Sequence, residues 1–461
     1  MASRLMKKLK KNAKKSITDL GKRIPAVRDL TRALLSTKRD RAYRRDCRTE
    51  HVDQRVVMFE CYAGRGYTCS PRALYQAMLA DPRFKDHTFV WVLRAKLARS
   101  LDLLGGYDVR GLDPGTATQD GLLRMFGIEA LEELKRATIV PYASKEYYRQ
   151  HARAGYWISN YILPTHMDVR EAQTYLQTWH GTPLKRLGCD ISEDKSNAMY
   201  LVRDIHDRYK TEGRRFSRLL SPSRFTTEKL MTAFDLADRG DEVVIEEGYP
   251  RNDYLLNVTT EQIEATRRRF SIPEGKRAIL YAPTFRDNQH DSGTGYTLIP
   301  EVDFDLLQRE LADDYVILFR PHYLVANKFN FARFDGFVRD VSTIMDINDL
   351  YVVSDILVTD YSSVFFDYAN LGRPTIFYMY DLELYAKELR GFYLDLDELP
   401  GPIVRDERGF VAAIRSAGMP DEGLLETTRR FNERFTSLDD GRVSQRVLRR
   451  LFDDQAGTAK A

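Results

Sequence analysis

Residues 177–188 read Gln-Thr-Trp-His-Gly-Thr-Pro-Leu-Lys-Arg-Leu-Gly, and the histidine in that stretch is well placed to move a proton. A β-type run, Thr174–Trp179, stops at His180-Gly181-Thr182-Pro183, and a helix carrying Lys185 and Arg186 in its first turns is predicted to follow. Strand, glycine turn and proline at the first helical position present a side chain and free amides to a bound anion. An imidazole at that corner accepts a proton near neutral pH. The pattern points to a reaction at a phosphate-rich site.

A second chemical corner lies downstream. Asp355–Thr359 reads as a buried parallel strand and runs into Asp360-Tyr361-Ser362-Ser363, ahead of a helical Phe365–Leu371. Two hydroxyls beside free amides make a phosphate cradle. Plain capping by Ser362, worth ~1 kcal/mol, is the alternative, and the preceding Thr359-Asp360 favours the cradle. Upstream, Met345–Leu350 starts the helix before that strand, where two-domain nucleotide-sugar transferases meet the base, an analogy of architecture. Arg320-Pro321-His322 lies just past another strand, where Pro321 stops the ladder and His322 would reach a diphosphate. Thr284 and Arg286 follow a further strand, and Arg286 suits a bidentate phosphate clamp or a solvated loop. Gly64-Arg65-Gly66 falls short of a dinucleotide fingerprint, and Trp157–Asn160 ends a strand with core packing and a cleft role both open. No P-loop, zinc motif or nucleophile elbow is present.

The elements that must position these residues are short apolar runs alternating with helical segments, the mark of α/β folding with parallel sheets. The first series is Arg55–Glu60, Thr88–Leu93, Thr138–Ala143, Tyr156–Ile162, Thr174–Trp179, Leu219–Ser221 and Val243–Glu246. The second is Arg277–Ala282, Tyr315–Phe319, Gly336–Val341, Asp355–Thr359 and Pro374–Tyr378. Gly248–Asp253 falls between them as the domain junction, and a helical stretch from Glu422 to Phe452 is expected to pack back across both halves. The expected architecture is two Rossmann-type domains, 49–247 and 248–420, around a cleft, with a C-terminal helical segment 421–461. Ligands of such sheets bind outside the carboxyl ends of the strands, where the chemical residues cluster.

The formal net charge of +4 is unevenly spread. Residues 1–48 hold seventeen Lys or Arg against four Asp, so this arm is +13 and the remainder is −9. Within the arm Leu5, Leu9, Ala13, Ile17 and Leu20 form a thin apolar stripe, flanked by Lys7, Lys8, Lys10, Lys11, Lys14 and Lys15. Such a helix suits the surface of an anionic membrane, at roughly 1 kcal/mol per basic residue. A disordered tail or a nucleic-acid-binding arm is the alternative. No apolar run reaches the ~20 residues that span a bilayer, and no signal peptide is visible. Cys47, Cys61, Cys69 and Cys189 form no metal spacing or disulfide framework, which fits a reducing cytoplasm.

Taken together these segments resemble the CDP-glycerol glycerophosphotransferase family, the teichoic acid primases and polymerases of Gram-positive bacteria. The resemblance rests on the runs WHGTPLK at 179–185, SPSRF at 221–225, GYPRND at 248–253, YAPTFRD at 281–287 and RPH at 320–322. It continues through DINDLYVVSDILVTDYSSVFFDYA at 346–369, RGFYLDL at 390–396 and PGPIV at 400–404, and departs at Ser159, where the family often has asparagine. It implies a GT-B-like fold that transfers glycerol phosphate from CDP-glycerol, or another CDP-alditol such as CDP-ribitol, and releases CMP. His180 would be the base for the acceptor's terminal hydroxyl, and His322 would stabilise the diphosphate or leaving CMP. Ser362 and Ser363 would hold phosphate oxygens, with Thr359, Asp360, Thr284, Arg286 and Arg320 nearby. Thr182, Lys185 and Arg186 would face the acceptor and steer an anionic polymer. The expected partners are the donor, a lipid-linked anionic acceptor and an anionic membrane surface, with no nucleic acid. The implied location is peripheral, on the cytoplasmic face of the plasma membrane. No cofactor is required and Mg²⁺ stays open. A nucleotide-sugar glycosyltransferase and a non-catalytic membrane scaffold are the competing classes.

Overall fold

The computed structural model describes residues 38–102, 117–192, 202–284, 290–291, 295–296, 302–321, 330–383, 391–419 and 421–453. It is an α/β structure built on two parallel sheets. The first contains β1 (Asp53–Glu60), β2 (Thr88–Leu93), β3 (Thr138–Pro141), β4 (Ala154–Ser159), β5 (Thr174–Gln177), β6 (Arg218–Ser221) and β7 (Val244–Glu246), in the order β3-β2-β1-β4-β5-β6-β7. The second is formed from β8 (Arg277–Ala282), β11 (Tyr315–Phe319), β12 (Val338–Asp340), β13 (Ile356–Thr359), β14 (Thr375–Tyr378) and β15 (Ile403–Val404), in the order β12-β11-β8-β13-β14-β15. A separate two-stranded hairpin pairs β9 (His290–Asp291) with β10 (Gly295–Tyr296). All twelve strands expected from apolar runs are present; β15 and the hairpin, two residues per strand, carry too little pattern to be seen.

Strands such as Ile356–Thr359 and Tyr315–Phe319 are buried throughout, because helices cover both faces of a parallel sheet. Both sheets reverse their winding once. In the first, the chain steps outward from β1 to β2 and β3, then returns to place β4 on the other side of β1. In the second, it returns in the same way to place β13 beside β8. A reversal splays the loops at the strands' carboxyl ends and opens a crevice there. Each sheet therefore has one crevice, after β1 and β4 in the first and after β8 and β13 in the second.

The chain crosses between the sheets twice. The first crossing is at 247–253. After it, the helix Glu422–Phe435 lays Phe431 and Phe435 into the core of the second sheet. The helix Val443–Phe452 then returns to the first, burying Val443, Val447, Leu448 and Leu451 beside Phe59 and Tyr75. The predicted C-terminal helical stretch is thus two helices, separated around Gly441, whose φ of +79° suits a residue without a Cβ. The two crossings are bonded to each other: Tyr249 N and Asn252 Nδ2 donate to Asp439 at 2.9 and 2.7 Å, and Val443 N donates to Asp253 at 2.9 Å.

The basic arm is shorter than its composition suggests. Residues 38–49 are helical and belong to the folded body. Tyr43 is buried in the core with Trp157, and its hydroxyl donates to the Asp168 carbonyl at 2.6 Å. The predicted boundary at 48 therefore falls inside a packed helix. Lys7, Lys8, Lys10, Lys11, Lys14 and Lys15 lie outside the described residues. Among the described residues no helix is long and apolar enough to cross a membrane.

Candidate active site

His180 stands over the crevice of the first sheet. After β5, Trp179 takes a left-handed φ of +49°, and its amide donates to the Gln177 side chain at 3.0 Å. The His180 Nδ1 lies 2.8 Å from the carbonyl oxygen of Asn160, the residue after β4. A carbonyl only accepts, so the proton sits on Nδ1 and Nε2 carries the lone pair. Burial pushes the imidazole pKa down to about 4 and the nearby Arg251 charge adds to this, against the opposing Asn160 carbonyl. At pH 7 the ring is neutral and in the tautomer that a proton acceptor needs.

The ring is held on three sides by aromatic groups: Trp179 at 4.3 Å, Tyr62 edge-on at 5.6 Å and Tyr161 at 6.3 Å. Tyr62 belongs to the loop after β1, where Tyr62, Ala63 and Gly64 have φ of +48°, +55° and +74° in succession. Only glycine adopts this region without cost, so the two others store about 1–3 kcal/mol each. The buried Asn160 pays back part of it by accepting the Tyr62 amide on Oδ1 at 2.8 Å. One residue thus fixes both the base, through its main chain, and the loop against it, through its side chain.

The predicted helix after Pro183 does not form. The Arg186 amide donates to the Gly391 carbonyl at 2.9 Å and the Tyr393 amide to the Leu184 carbonyl at 2.8 Å. Lys185 forms an antiparallel bridge with Phe392. Strand-like pairing with the other domain has displaced the local helical preference, so this corner has no helix amides to offer an anion. Lys185 and Arg186 lie in a strap between domains. Thr182 is buried and accepts from Thr226 Oγ1 at 3.4 Å.

Across the cleft, the crevice of the second sheet is closed by short side chains. Thr359 Oγ1 donates to the Ala282 carbonyl at 2.9 Å, tying β13 to β8 at their ends. The buried Asp360 carboxylate accepts from Thr284 N and Oγ1 at 3.0 and 2.9 Å and from the Tyr361 amide at 2.6 Å. These three residues build the corner, and Ser362 and Ser363 are what it presents. Ser363, rather than Ser362, occupies the N-cap position of Val364–Tyr368, and its hydroxyl makes no capping bond. A Cβ built on Gly181 would stand 3.0 Å from Ser363 Oγ, so the residue after His180 touches the second domain's serine corner.

Arg251 was missed in the sequence, where GYPRND reads as a junction. It is 6% exposed, donates to Asp367 through Nε and Nη2 at 3.1 and 2.8 Å, and stacks on Tyr249 at 4.3 Å. Its Nη2 lies 3.9 Å from the Gly181 Cβ position, which puts a buried cation beneath the contact between the two walls. The signal that could have found it is an arginine flanked by aromatic and turn residues at a crossing between domains. Arg320, by contrast, is committed elsewhere: it donates to the Val341 and Ile344 carbonyls at 2.8 and 2.7 Å and clips the loop before Met345. His322 and Arg286 lie outside the described residues. Among the described residues no three His, Cys, Asp or Glu side chains gather as a metal site.

The chain was compared with known proteins. Residues 42–453 match the model of the family described as CDP-Glycerol:Poly(glycerophosphate) glycerophosphotransferase. A teichoic acid poly(glycerol phosphate) polymerase of Staphylococcus epidermidis is 34% identical over 401 residues, 86% of this chain and 50% of that protein. The chain thus spans about half the length of that curated relative. A teichoic acid glycerol-phosphate transferase of Staphylococcus aureus is 36% identical over 406 residues, 87% of this chain and 93% of that protein. A histidine-to-asparagine variant of the wall teichoic acid polymerase TagF, solved after a soak with CDPG, superposes with a TM-score of 0.76 at 31% identity, covering 95% of this chain and 99% of that one. With a family match over most of its length, the chain belongs to the CDP-glycerol:poly(glycerophosphate) glycerophosphotransferase family.

Proposed function

We propose that the chain transfers glycerol phosphate from CDP-glycerol to the terminal hydroxyl of a lipid-linked acceptor or growing poly(glycerol phosphate) chain, in teichoic acid synthesis. The observation that carries this reading is the close approach of Gly181 to Ser363, which sets a neutral imidazole of one domain against the serine corner of the other. The first domain, running to residue 247 and including the helix 38–49, would hold the acceptor and the second, 248–420, the donor. His180 Nε2 takes the hydroxyl proton as the acceptor oxygen bonds to the donor's β-phosphorus. The bond from that phosphorus to the bridging oxygen breaks, and CMP leaves with the electron pair. Ser362 and Ser363 donate to phosphate oxygens, and His322 and Arg286 complete the anion site. Arg251 supplies positive potential from below. Positioning and electrostatics carry such a transfer.

The test is CMP release from a panel of CDP-alditols with a lipid-linked acceptor. Turnover of CDP-glycerol is expected, and His180→Ala should lower kcat by about 10²–10⁴. Release of a nucleoside diphosphate from a nucleotide sugar would replace the transfer class. The basic arm is proposed to dock the enzyme on the cytoplasmic face of an anionic membrane; loss of residues 1–37 should then abolish vesicle binding while turnover of a soluble acceptor persists.

A further inference from the structure

Tyr161 follows Asn160 directly and so emerges from the end of β4 beside His180. Two guanidinium groups converge on its ring from separate elements. Arg65 comes from the strained loop after β1 and Arg208 from the helix Val202–Gly213, and each Cζ lies 5.9 Å from the ring centroid. Arg65 is anchored by Nη1, which donates to the Tyr62 carbonyl at 2.7 Å on the loop that flanks His180. The helix bearing Arg208 is fixed by Tyr209, whose ring packs on Trp179 at 5.9 Å. Among the described residues Arg208 has no ion pair: on the same helix Asp207 pairs with Arg203 at 3.9 Å, and Asp204 forms no salt bridge. Each guanidinium carbon lies no farther than about 12 Å from the imidazole. The mechanism above uses neither guanidinium, and Tyr161 only as a neighbour of the His180 ring.

We propose that Arg65, Tyr161 and Arg208 form an acceptor-side anion subsite, holding the phosphodiester next to the hydroxyl that His180 deprotonates. This rests on the glycerophosphotransferase reading. A poly(glycerol phosphate) end carries its hydroxyl only three carbons and one ester oxygen from the first phosphorus, and every further repeat adds one negative charge. A guanidinium stacked on an aromatic face keeps its N–H edge for a phosphate oxygen, and two such groups on different elements can take successive phosphodiesters. All three residues belong to the His180 wall, opposite the serine corner, so the subsite does not compete with the donor. The subsite would also favour a charged polymer end over neutral glycerol as acceptor.

The experiment is calorimetric titration of the full chain with a synthetic three-repeat oligo(glycerol phosphate), alongside CMP release from CDP-glycerol. Arg208→Gln should weaken oligomer binding about ten- to hundredfold, the range for losing one charged hydrogen bond, with Arg208→Lys intermediate and CDP-glycerol binding unchanged. Arg65→Gln should do the same, and Arg208→Gln is the decisive variant because Arg65 also supports its loop. Vesicles of phosphatidylglycerol separate the two sources of phosphate, and their binding should not change in Arg208→Gln. Unchanged oligomer affinity in a folded Arg208→Gln, a wild type that binds no oligomer, or a loss confined to vesicles or to donor would each overturn the subsite. Oligomer binding through Arg208 without any CMP release sinks the activity reading and leaves the subsite standing. Normal turnover with acceptor KM unchanged in both variants does the reverse.

Discussion

The two walls of the cleft are built on opposite principles. The His180 wall is over-determined: a run of left-handed residues, three aromatic neighbours and both oxygens of Asn160 fix one imidazole in one tautomer. The serine wall is an ordinary strand-end corner in which Thr284 donates to Asp360, Thr359 donates to the Ala282 carbonyl, and Ser363 caps nothing. A general base must be aimed before its substrate arrives, and strain held by surrounding structure is one way to aim it. A phosphate cradle needs only short hydroxyls in reach of its ligand. The contrast implies that damage to the first wall costs folding and rate together, and damage to the second costs binding alone.

The largest break should come from the cation beneath both. Arg251→Met leaves Asp367 buried and unpaired and should cost about 3–5 kcal/mol, read from denaturant unfolding, while the double change with Asp367→Leu recovers much of it. A loss equal in the single and double variants would mean that the ion pair is not what holds this point. Next, Asn160→Ala orphans the Tyr62 amide and should cost about 1–3 kcal/mol, with kcat falling at protein concentrations and temperatures where the variant is fully folded. An unchanged kcat would detach the strained loop from the base.

Acid should act on the same wall. Because the folded His180 pKa is near 4 against 6.5 for the free side chain, the unfolded chain binds a proton between those values that the folded chain refuses. This contribution to stability is present above pH 6.5 and is lost as pH falls towards 4. The acid limb of kcat/KM should accordingly fall near pH 4 in the free enzyme, and a limb at 6.5 would place the imidazole in water. The smallest stability effect belongs to the serine wall: Ser363→Ala should change unfolding by no more than about 0.5 kcal/mol while donor KM rises. A cap-sized loss of stability would give Ser363 the structural role that the simpler reading assigns to Ser362.

Much of this frame was legible in the chain. Twelve apolar runs became strands because buried parallel strands are apolar on both faces, and His180 and Ser362-Ser363 stood out because each follows such a run. What stayed hidden depends on contacts distant in sequence. The run after Pro183 pairs with 391–393, a partner no local rule supplies. Tyr62 and Ala63 are left-handed without being glycine, so nothing in their identity announces the strain. Arg320 reads as a cation beside the phosphate until two carbonyls of the next loop claim it.

The paired crossings near Tyr249 and Asp439 have a mechanical meaning. Two bodies joined by one strand of chain can swivel in every direction. Joined by two strands bonded side by side, they keep the motion of a door on its pins, a rotation about a single line. A rotation about that line would carry Gly181 away from Ser363 and back to it, and would have to release the pairing of 184–186 with 391–393.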